Sequence, residues 1–315
     1  MKIYDSIQNL TGEFPRIAIA LGMFDGVHIG HQSILNRTVE LANKIEGTPA
    51  VFTFQNHPLS LVSIERENNR GMPKLIGDRK LRAEILESLG IKLLVEIPFT
   101  EEFSRITPLE FIDLLCKNFE PRFVVTGPNY TFGHRGEGDG DLLKKLGRGF
   151  GFIAEICPAI VCDGKKISST RIRRLISDGN LKRANEFLGR SFSYRGKVIH
   201  GFERGRTIGF PTANLEIDPA RVMLPTGAYA VEVEFENQNF IGIANVGNNP
   251  TFEEQISSRI EVFIDNFSGD LYGREIEIRF IETLRGEQKF SSVEDLISQL
   301  KMDLEHAREI LPNKK

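Results

Sequence analysis

Two histidines three residues apart, His28 and His31, close the stretch Ile17-Ala18-Ile19-Ala20-Leu21-Gly22-Met23-Phe24-Asp25-Gly26-Val27-His28-Ile29-Gly30-His31. Paired imidazoles can ligate a metal, cap a helix or contact an anion. A zinc site is poorly supported, because neither an HExxH nor a CxxC pattern lies nearby. A bland capping pair is the ordinary alternative. The apolar run reads as a buried parallel strand. Ile34, Leu35, Val39, Leu41 and Ala42, with Gly47 as a stop, read as the helix after it. A helix start offers unpaired backbone N–H groups to an anion. Gly26 and Gly30 carry no Cβ and let the main chain approach a ligand. Phosphate handling accounts for the glycines, the turn and both imidazoles together, and it is the reading adopted.

Four further stretches carry residue types suited to similar chemistry. Gly127-Pro128-Asn129-Tyr130-Thr131-Phe132-Gly133-His134 is a glycine-rich turn that, alone, needs no ligand. In Lys165-Lys166-Ile167-Ser168-Ser169-Thr170-Arg171-Ile172-Arg173-Arg174, Ser168 or Ser169 can cap a helix starting near Thr170. Arg171 and Arg174 would then share a face able to reach phosphate oxygens. A solvated basic helix is the plain alternative, and a nucleic-acid patch fits less well without interleaved aromatics. Gly201 to Asn214 joins a glycine-rich loop to the hydroxyl of Thr212 and the amide of Asn214, oxygen ligands suited to Mg²⁺. No Walker A pattern occurs, so this is not a P-loop kinase. Glu261 stands in the strand Arg259–Ile264, where alternation predicts a face shared with Phe263 and Asp265.

The elements that must position these groups change character along the chain. In the first half, strands at Ile17–Leu21, Pro49–Phe54, Ile91–Ile97 and Phe123–Gly127 alternate with helices at Lys80–Leu89 and Pro108–Phe119. That alternation predicts an α/β fold, an open parallel sheet with helices on both faces. Ligands of such sheets lie beyond the carboxyl ends of the strands, where the histidines and the Gly127 turn fall. After a short helix at Leu181–Leu188 and a break at Gly189, short strands recur at 192–198, 229–235, 240–245, 260–264 and 275–280. Their spacing predicts an antiparallel barrel or sandwich. A last helix at Ser292–Ile310 offers Val293, Leu296, Ile297, Leu300 and Leu304 for packing.

At 315 residues the chain accommodates two cores. A net charge of −3 provides no general field for nucleic acid. Met1–Leu10 lacks the pattern of a secretory signal, and no apolar run approaches the ~20 residues of a membrane helix. Three cysteines, Cys116, Cys157 and Cys162, show no metal spacing and read as reduced cytoplasmic thiols.

Taken together the stretches resemble the bacterial riboflavin kinase/FAD synthetase family. Gly22 to His31 matches its G-x-F-D-G-x-H-x-G-H signature, Gly127 to Gly133 its second adenylyltransferase motif, and Ser168 to Arg173 its S-S-T-x-x-R motif. Gly205 to Asn214 is similar to the G-R-x-x-G-x-P-T-A-N stretch of riboflavin kinases. The resemblance implies an adenylyltransferase domain at 1–186, an HxGH nucleotidyltransferase of Rossmann-like fold, and a β-barrel kinase domain at 187–315. It implies that Gly22, Phe24, Asp25, Gly26, His28, Gly30, His31, Asn129, Ser168, Ser169, Thr170 and Arg173 bind ATP in the first domain. His28, His31 and Arg173 would there act on the phosphates. In the second it implies Gly201, Gly205, Arg206, Gly209, Pro211, Thr212, Asn214, Asn245 and Arg285 for ATP and flavin, with Mg²⁺ on Thr212 and Asn214. Glu261 becomes the base that takes the riboflavin 5′-hydroxyl proton. FMN, whose phosphate is already ionised, needs alignment rather than a base. Riboflavin, FMN and ATP are the expected partners, FAD the final product, with no nucleic acid or membrane and a monomer or weak homo-oligomer. Glu203 in the phosphate loop and Gln55-Asn56 before His57-Pro58 depart from the family pattern.

Two rivals remain at this stage. A nucleotidyltransferase for another phosphorylated acceptor, such as phosphopantetheine or nicotinate mononucleotide, would not need the kinase-like half. A flavin- or nucleotide-sensing module would bind without turnover.

Overall fold

Strands apolar at every position are buried on both faces, and the first half of the chain is built on them. The computed structural model describes residues 1–7, 10, 12–58, 73–201, 205, 208–250 and 256–311, without the side chains of 248–250 and 256–258. Two compact units result, Met1–Pro73 with Asp78–Ser169, and Lys74–Gly77 with Thr170–Lys315.

The first unit runs β1 (Lys2–Tyr4), β2 (Ala18–Leu21), α1 (Ile29–Lys44), β3 (Pro49–Phe54), α2 (Arg79–Ser88), β4 (Leu93–Ile97), α3 (Glu101–Ser104), α4 (Pro108–Phe119), β5 (Phe123–Thr126), α5 (Gly140–Phe150) and β6 (Ile153–Ile156). All six strands are parallel, in the order β1-β4-β3-β2-β5-β6. Period-2 alternation sorts their side chains into two cores. Ile17, Ile19, Leu21, Phe52 and Val124 pack under α4 and α5 with Phe111, Leu115 and Leu143. Ala18, Ala20, Val51, Leu94 and Val125 pack under α1 and α2 with Leu35, Leu41 and Leu86. Helix α4 begins as its sequence dictates, with Pro108 at its start and a reciprocal Thr107–Glu110 capping box. A hairpin, β7 (Val161–Cys162) and β8 (Lys165–Lys166), leads out of the sheet.

Next come α6 (Ser169–Ser177), which crosses the division between the units, and α7 (Leu181–Leu188). The second unit's strands are β9 (Phe192–Ile199), β10 (Thr212–Leu215), β11 (Gly227–Phe235), β12 (Gln238–Pro250), β13 (Ile256–Ile264) and β14 (Glu275–Gly286), followed by α8 (Val293–Ile310). They close into an antiparallel barrel in the order β10-β13-β12-β11-β14-β9. Glu236 and Asn237 both take positive φ, 49° and 62°, the two-residue hairpin whose twist suits the flanking strands. Ile260 and Val262 are fully buried, whereas α8 packs Leu304 and Ala307 on a wall of Ala228, Ala230, Ile241 and Ile243. The segment Lys74–Gly77 joins this unit through a parallel bridge of Leu75 with Arg221. Arg221, 2% exposed, donates to the Ile76 carbonyl at 2.8 Å and the Ser193 carbonyl at 2.7 Å.

The parallel sheet, the barrel and the final helix agree with the expected fold class. The differences lie in its margins. The sequence predicts four parallel strands where six form; the additions, β1 and β6, are short edge strands without a resolvable period. Strand β10 lies inside the motif read as a loop. Val293, expected to pack, is 53% exposed because it opens the first turn of α8. Asp265 does not share a strand face with Glu261: it follows the last residue of β13 and is held by Arg308 of α8, with two contacts of 2.8 Å.

Candidate active sites

His28 is the N-cap of α1, and its Nδ1 accepts the backbone N–H of His31 at 3.3 Å. The two rings stack with centroids 3.7 Å apart and planes 18° from parallel. Capping and ligand contact, rivals in the sequence, are therefore compatible: one ring nitrogen serves the helix while the pair stands at its start. Gly30 leaves room for this stack, since a Cβ there would lie 3.1 Å from the His28 ring and crowd it. Phe24, buried and at φ 48°, sets its ring edge-on to His31 at 5.4 Å and closes over Gly22. Asp25 is buried and Gly26 turns the chain at φ 76°.

The third motif reaches this turn through Ser169, whose Oγ donates to the Asp25 carbonyl at 3.0 Å. Ser168 lies immediately before α6, and Thr170 and Arg173 lie in its first turns. The expected phosphate-facing pair Arg171 and Arg174 is otherwise engaged. Arg171 lies over the Phe187 ring at 4.6 Å, and Arg174 pairs with Asp178 at 3.3 Å. Ile172 and Ile176 are buried, which turns these arginines along the helix flanks instead. Asn129 follows β5, and its Oδ1 accepts from Lys166 Nζ at 2.8 Å, a contact across 37 positions that no local spacing signals. A cavity of about 530 Å³ runs beside α1 from Ile29 through Gln32, Ser33 and Asn36 to the end of β6 at Cys157 and Pro158. Of the Gly22–His31 motif only Ile29 lines it.

In the barrel, register does what sequence spacing cannot. Asn214 of β10 pairs with Glu261 of β13, Glu261 with Asn245 of β12, Asn245 with Ala228 of β11, and Ala228 with Arg285 of β14. Directly opposed residues share a face, so four polar side chains separated by up to 71 positions form one row. Thr212, two residues from Asn214, lines the same cavity of about 390 Å³ as Glu261, Asn245 and Arg285. Phe263, Phe290, Leu296 and Leu300 supply its apolar walls between β13 and α8. Glu261 pairs with Arg259 at 3.2 Å. Arg285 is held by buried Asp303 of α8, Nε to Oδ2 at 3.0 Å, a partner that sequence reading did not single out.

The loop before β10 is folded on itself at Gly205, whose carbonyl accepts from Phe210 at 2.9 Å and Ile208 at 3.2 Å. Gly201 abuts Asn214, where a Cβ would lie 2.2 Å from Nδ2. Gly209 takes φ 81°, and Pro211 leads into β10. Arg206, Glu203, Thr251 and Phe252 lie outside the described residues. Among the described residues no group of three or more His, Cys, Asp or Glu is arranged for a metal. The hydroxyl of Thr212 and the amide of buried Asn214, two residues apart on β10, are oxygen donors of the type magnesium takes.

The fold and these two centres define a class: a parallel-sheet transferase unit joined to a barrel with a second polar cleft. Family models agree in both halves, FAD synthetase matching residues 11–171 and Riboflavin kinase residues 188–311. A curated bifunctional riboflavin kinase/FMN adenylyltransferase from Listeria monocytogenes is 38% identical over 92% of this chain and 91% of its own. Its counterpart from Escherichia coli is 35% identical over 98% and 97%. A solved chain from Streptococcus pneumoniae, described as a macrolide-efflux protein, is 33% identical with a TM-score of 0.86, covering 98% of this chain and 99% of that one. No helix among the described residues is long and apolar enough to cross a membrane. The chain belongs to the bifunctional riboflavin kinase/FMN adenylyltransferase family. It is an enzyme that phosphorylates riboflavin to FMN and adenylylates FMN to FAD.

Proposed function

We propose that the two reactions use separate groups of residues, with adenylyl transfer assigned to 1–186 and phosphorylation to 187–315. In the first, an FMN phosphate oxygen attacks the α-phosphorus of ATP; the new P–O bond forms as the bond to the β-phosphate oxygen breaks, and pyrophosphate leaves. His28, His31, Arg173 and the N–H groups opening α1 bind the triphosphate and offset the charge on the departing pyrophosphate. Gly22, Phe24, Asp25 and Gly26 shape the turn under it, Asn129 the opposite wall, and Ser168, Ser169 and Thr170 the second helix start. The cleft beside Gln32, Ser33 and Cys157 suits the adenosine end in size and position.

In the second reaction Glu261 takes the proton of the riboflavin 5′-hydroxyl, which attacks the γ-phosphorus and expels ADP. The single observation that supports this reading is the convergence of Glu261, Asn245, Thr212 and Arg285 on one cavity, with Asn214 in register beside Glu261. Thr212 and Asn214 would hold Mg²⁺, which would supply charge neutralisation on the phosphates. Phe263, Phe290 and Leu300 offer a slot for the flavin ring, and the Gly201–Pro211 loop with Arg206 contacts ATP. A cytoplasmic enzyme, monomeric or weakly self-associating, accompanies this reading. Riboflavin, ATP and Mg²⁺ with the purified chain should give FMN and then FAD, with both ADP and pyrophosphate released. FAD from FMN but none from riboflavin would remove the kinase assignment.

A further inference from the structure

Outside the residues assigned above, polar side chains cluster at the carboxyl ends of β2, β3 and β4. Arg82 of α2 is 7% exposed. It donates through Nη1 to the Met23 carbonyl at 3.0 Å and through Nη2 to the Phe54 carbonyl at 2.9 Å, and it pairs with Glu96 of β4. Thr53 Oγ1 donates to the same Met23 carbonyl at 3.1 Å. Arg79 holds the other Glu96 oxygen through Nε at 2.6 Å.

As a source of stability this cluster is a poor investment. A buried ion pair often contributes less than well-packed apolar residues of the same volume. Arg82 Nε is also buried with no hydrogen-bond partner, a further desolvation cost. What the cluster does achieve is to fix one carbonyl from two directions. Met23 immediately precedes Phe24 and stands four residues before Val27, non-glycine residues at φ 48° and 36°. Such conformations persist only where the surroundings over-determine them. The Phe24 ring in turn meets His31 edge-on, and His31 stacks on His28. A continuous set of contacts thus runs from Arg82 and Thr53, through Met23 and Phe24, to the paired imidazoles.

The geometry points to Arg82 and Thr53 as positioning residues of adenylyl transfer: by clamping the Met23 carbonyl they hold the Gly22–Val27 turn that aligns His28 and His31. This rests on the assignment of those histidines to the triphosphate. Both side chains are buried beneath the turn, so their loss appears as misalignment, which lowers kcat for FAD formation rather than raising KM for FMN.

The test uses the full chain with Thr53→Val, Thr53→Ser, Arg82→Met and His28→Ala, measuring FAD formation from FMN below each variant's melting temperature. Thr53→Val keeps the buried volume and removes one donor; kcat should fall on the order of tenfold, and Thr53→Ser, which keeps the hydroxyl, should restore it. Arg82→Met should lose at least as much. If Arg82→Met does not fold, the Thr53 pair decides alone. Wild-type kcat in Thr53→Val, with or without a lowered melting temperature, overturns the proposal. An inactive His28→Ala beside a fully active Thr53→Val removes only the positioning role. A fully active His28→Ala removes the site assignment and this inference with it.

Discussion

At position 28 one imidazole caps a helix and stacks on His31, so the phosphate role proposed for the pair is compatible with its place at the helix start. Glu261 is the counterpart in the barrel, and the role proposed for it rests on the chemistry of the nucleophile. A hydroxyl must lose a proton to attack phosphorus, whereas the FMN phosphate has none to lose at neutral pH. Glu261→Gln keeps the shape and removes the base, so riboflavin phosphorylation should fall by about 10²–10⁴-fold. FAD formation from added FMN should continue at the wild-type rate. A product-resolved assay started from riboflavin in one tube and FMN in another checks both. The His28–Gly30–His31 turn at a strand-to-helix junction was legible at short spacing, whereas Glu261 was singled out only by the family resemblance. Helical spacing alone does not show that Arg171 rests on the Phe187 ring while Arg174 pairs with Asp178.

Among the elements, α8 is part of the kinase cleft as well as its cover. Leu296 and Leu300 line the cavity, and Asp303 holds Arg285 at 3.0 Å. Asp303→Asn should lower kcat/KM of the kinase roughly tenfold, the scale of one charge-assisted hydrogen bond, without touching adenylyl transfer; steady-state kinetics on both reactions reads this. The barrel wall also predicts an alkaline limit. Burial pushes the Tyr229 phenol up to about 12 from the ordinary 10.0, and its hydroxyl donates to the Pro225 carbonyl at 2.7 Å. The folded state therefore prefers the neutral phenol. Its contribution is fully present below pH 10 and is lost as the pH rises toward 12. Melting temperatures taken between pH 9 and 12 should fall across that window, and less steeply in Tyr229→Phe. Strand existence was legible from alternation in β11 and β14, whereas pairing was not. The order β10-β13-β12 brings Asn214, Glu261 and Asn245 together by non-local register, which no local period encodes.

For the whole molecule, the change from parallel-sheet to barrel patterning near Gly189 was legible, but the compact units do not follow the chain so simply. Residues 74–77 belong with the barrel, where Arg221 holds the Ile76 carbonyl. Asn185 of α7 likewise receives the Phe192 N–H at 2.7 Å and donates to the Phe280 carbonyl at 3.0 Å. Neither dependence has a composition signal, since each is one polar contact across a long sequence separation. A fragment of residues 187–315 lacks both and leaves the buried Arg221 guanidinium short of an acceptor, a loss of about 1–3 kcal/mol. Its thermal transition should lie several degrees below the barrel transition of the full chain, by calorimetry.

The division of labour is tested most directly by His28→Ala supplied with riboflavin, ATP and Mg²⁺ and followed over time by product. FMN should accumulate with an equal amount of ADP while FAD and pyrophosphate stay absent. Loss of FMN formation in a folded His28→Ala chain, or FAD appearing at the wild-type rate, would contradict the account.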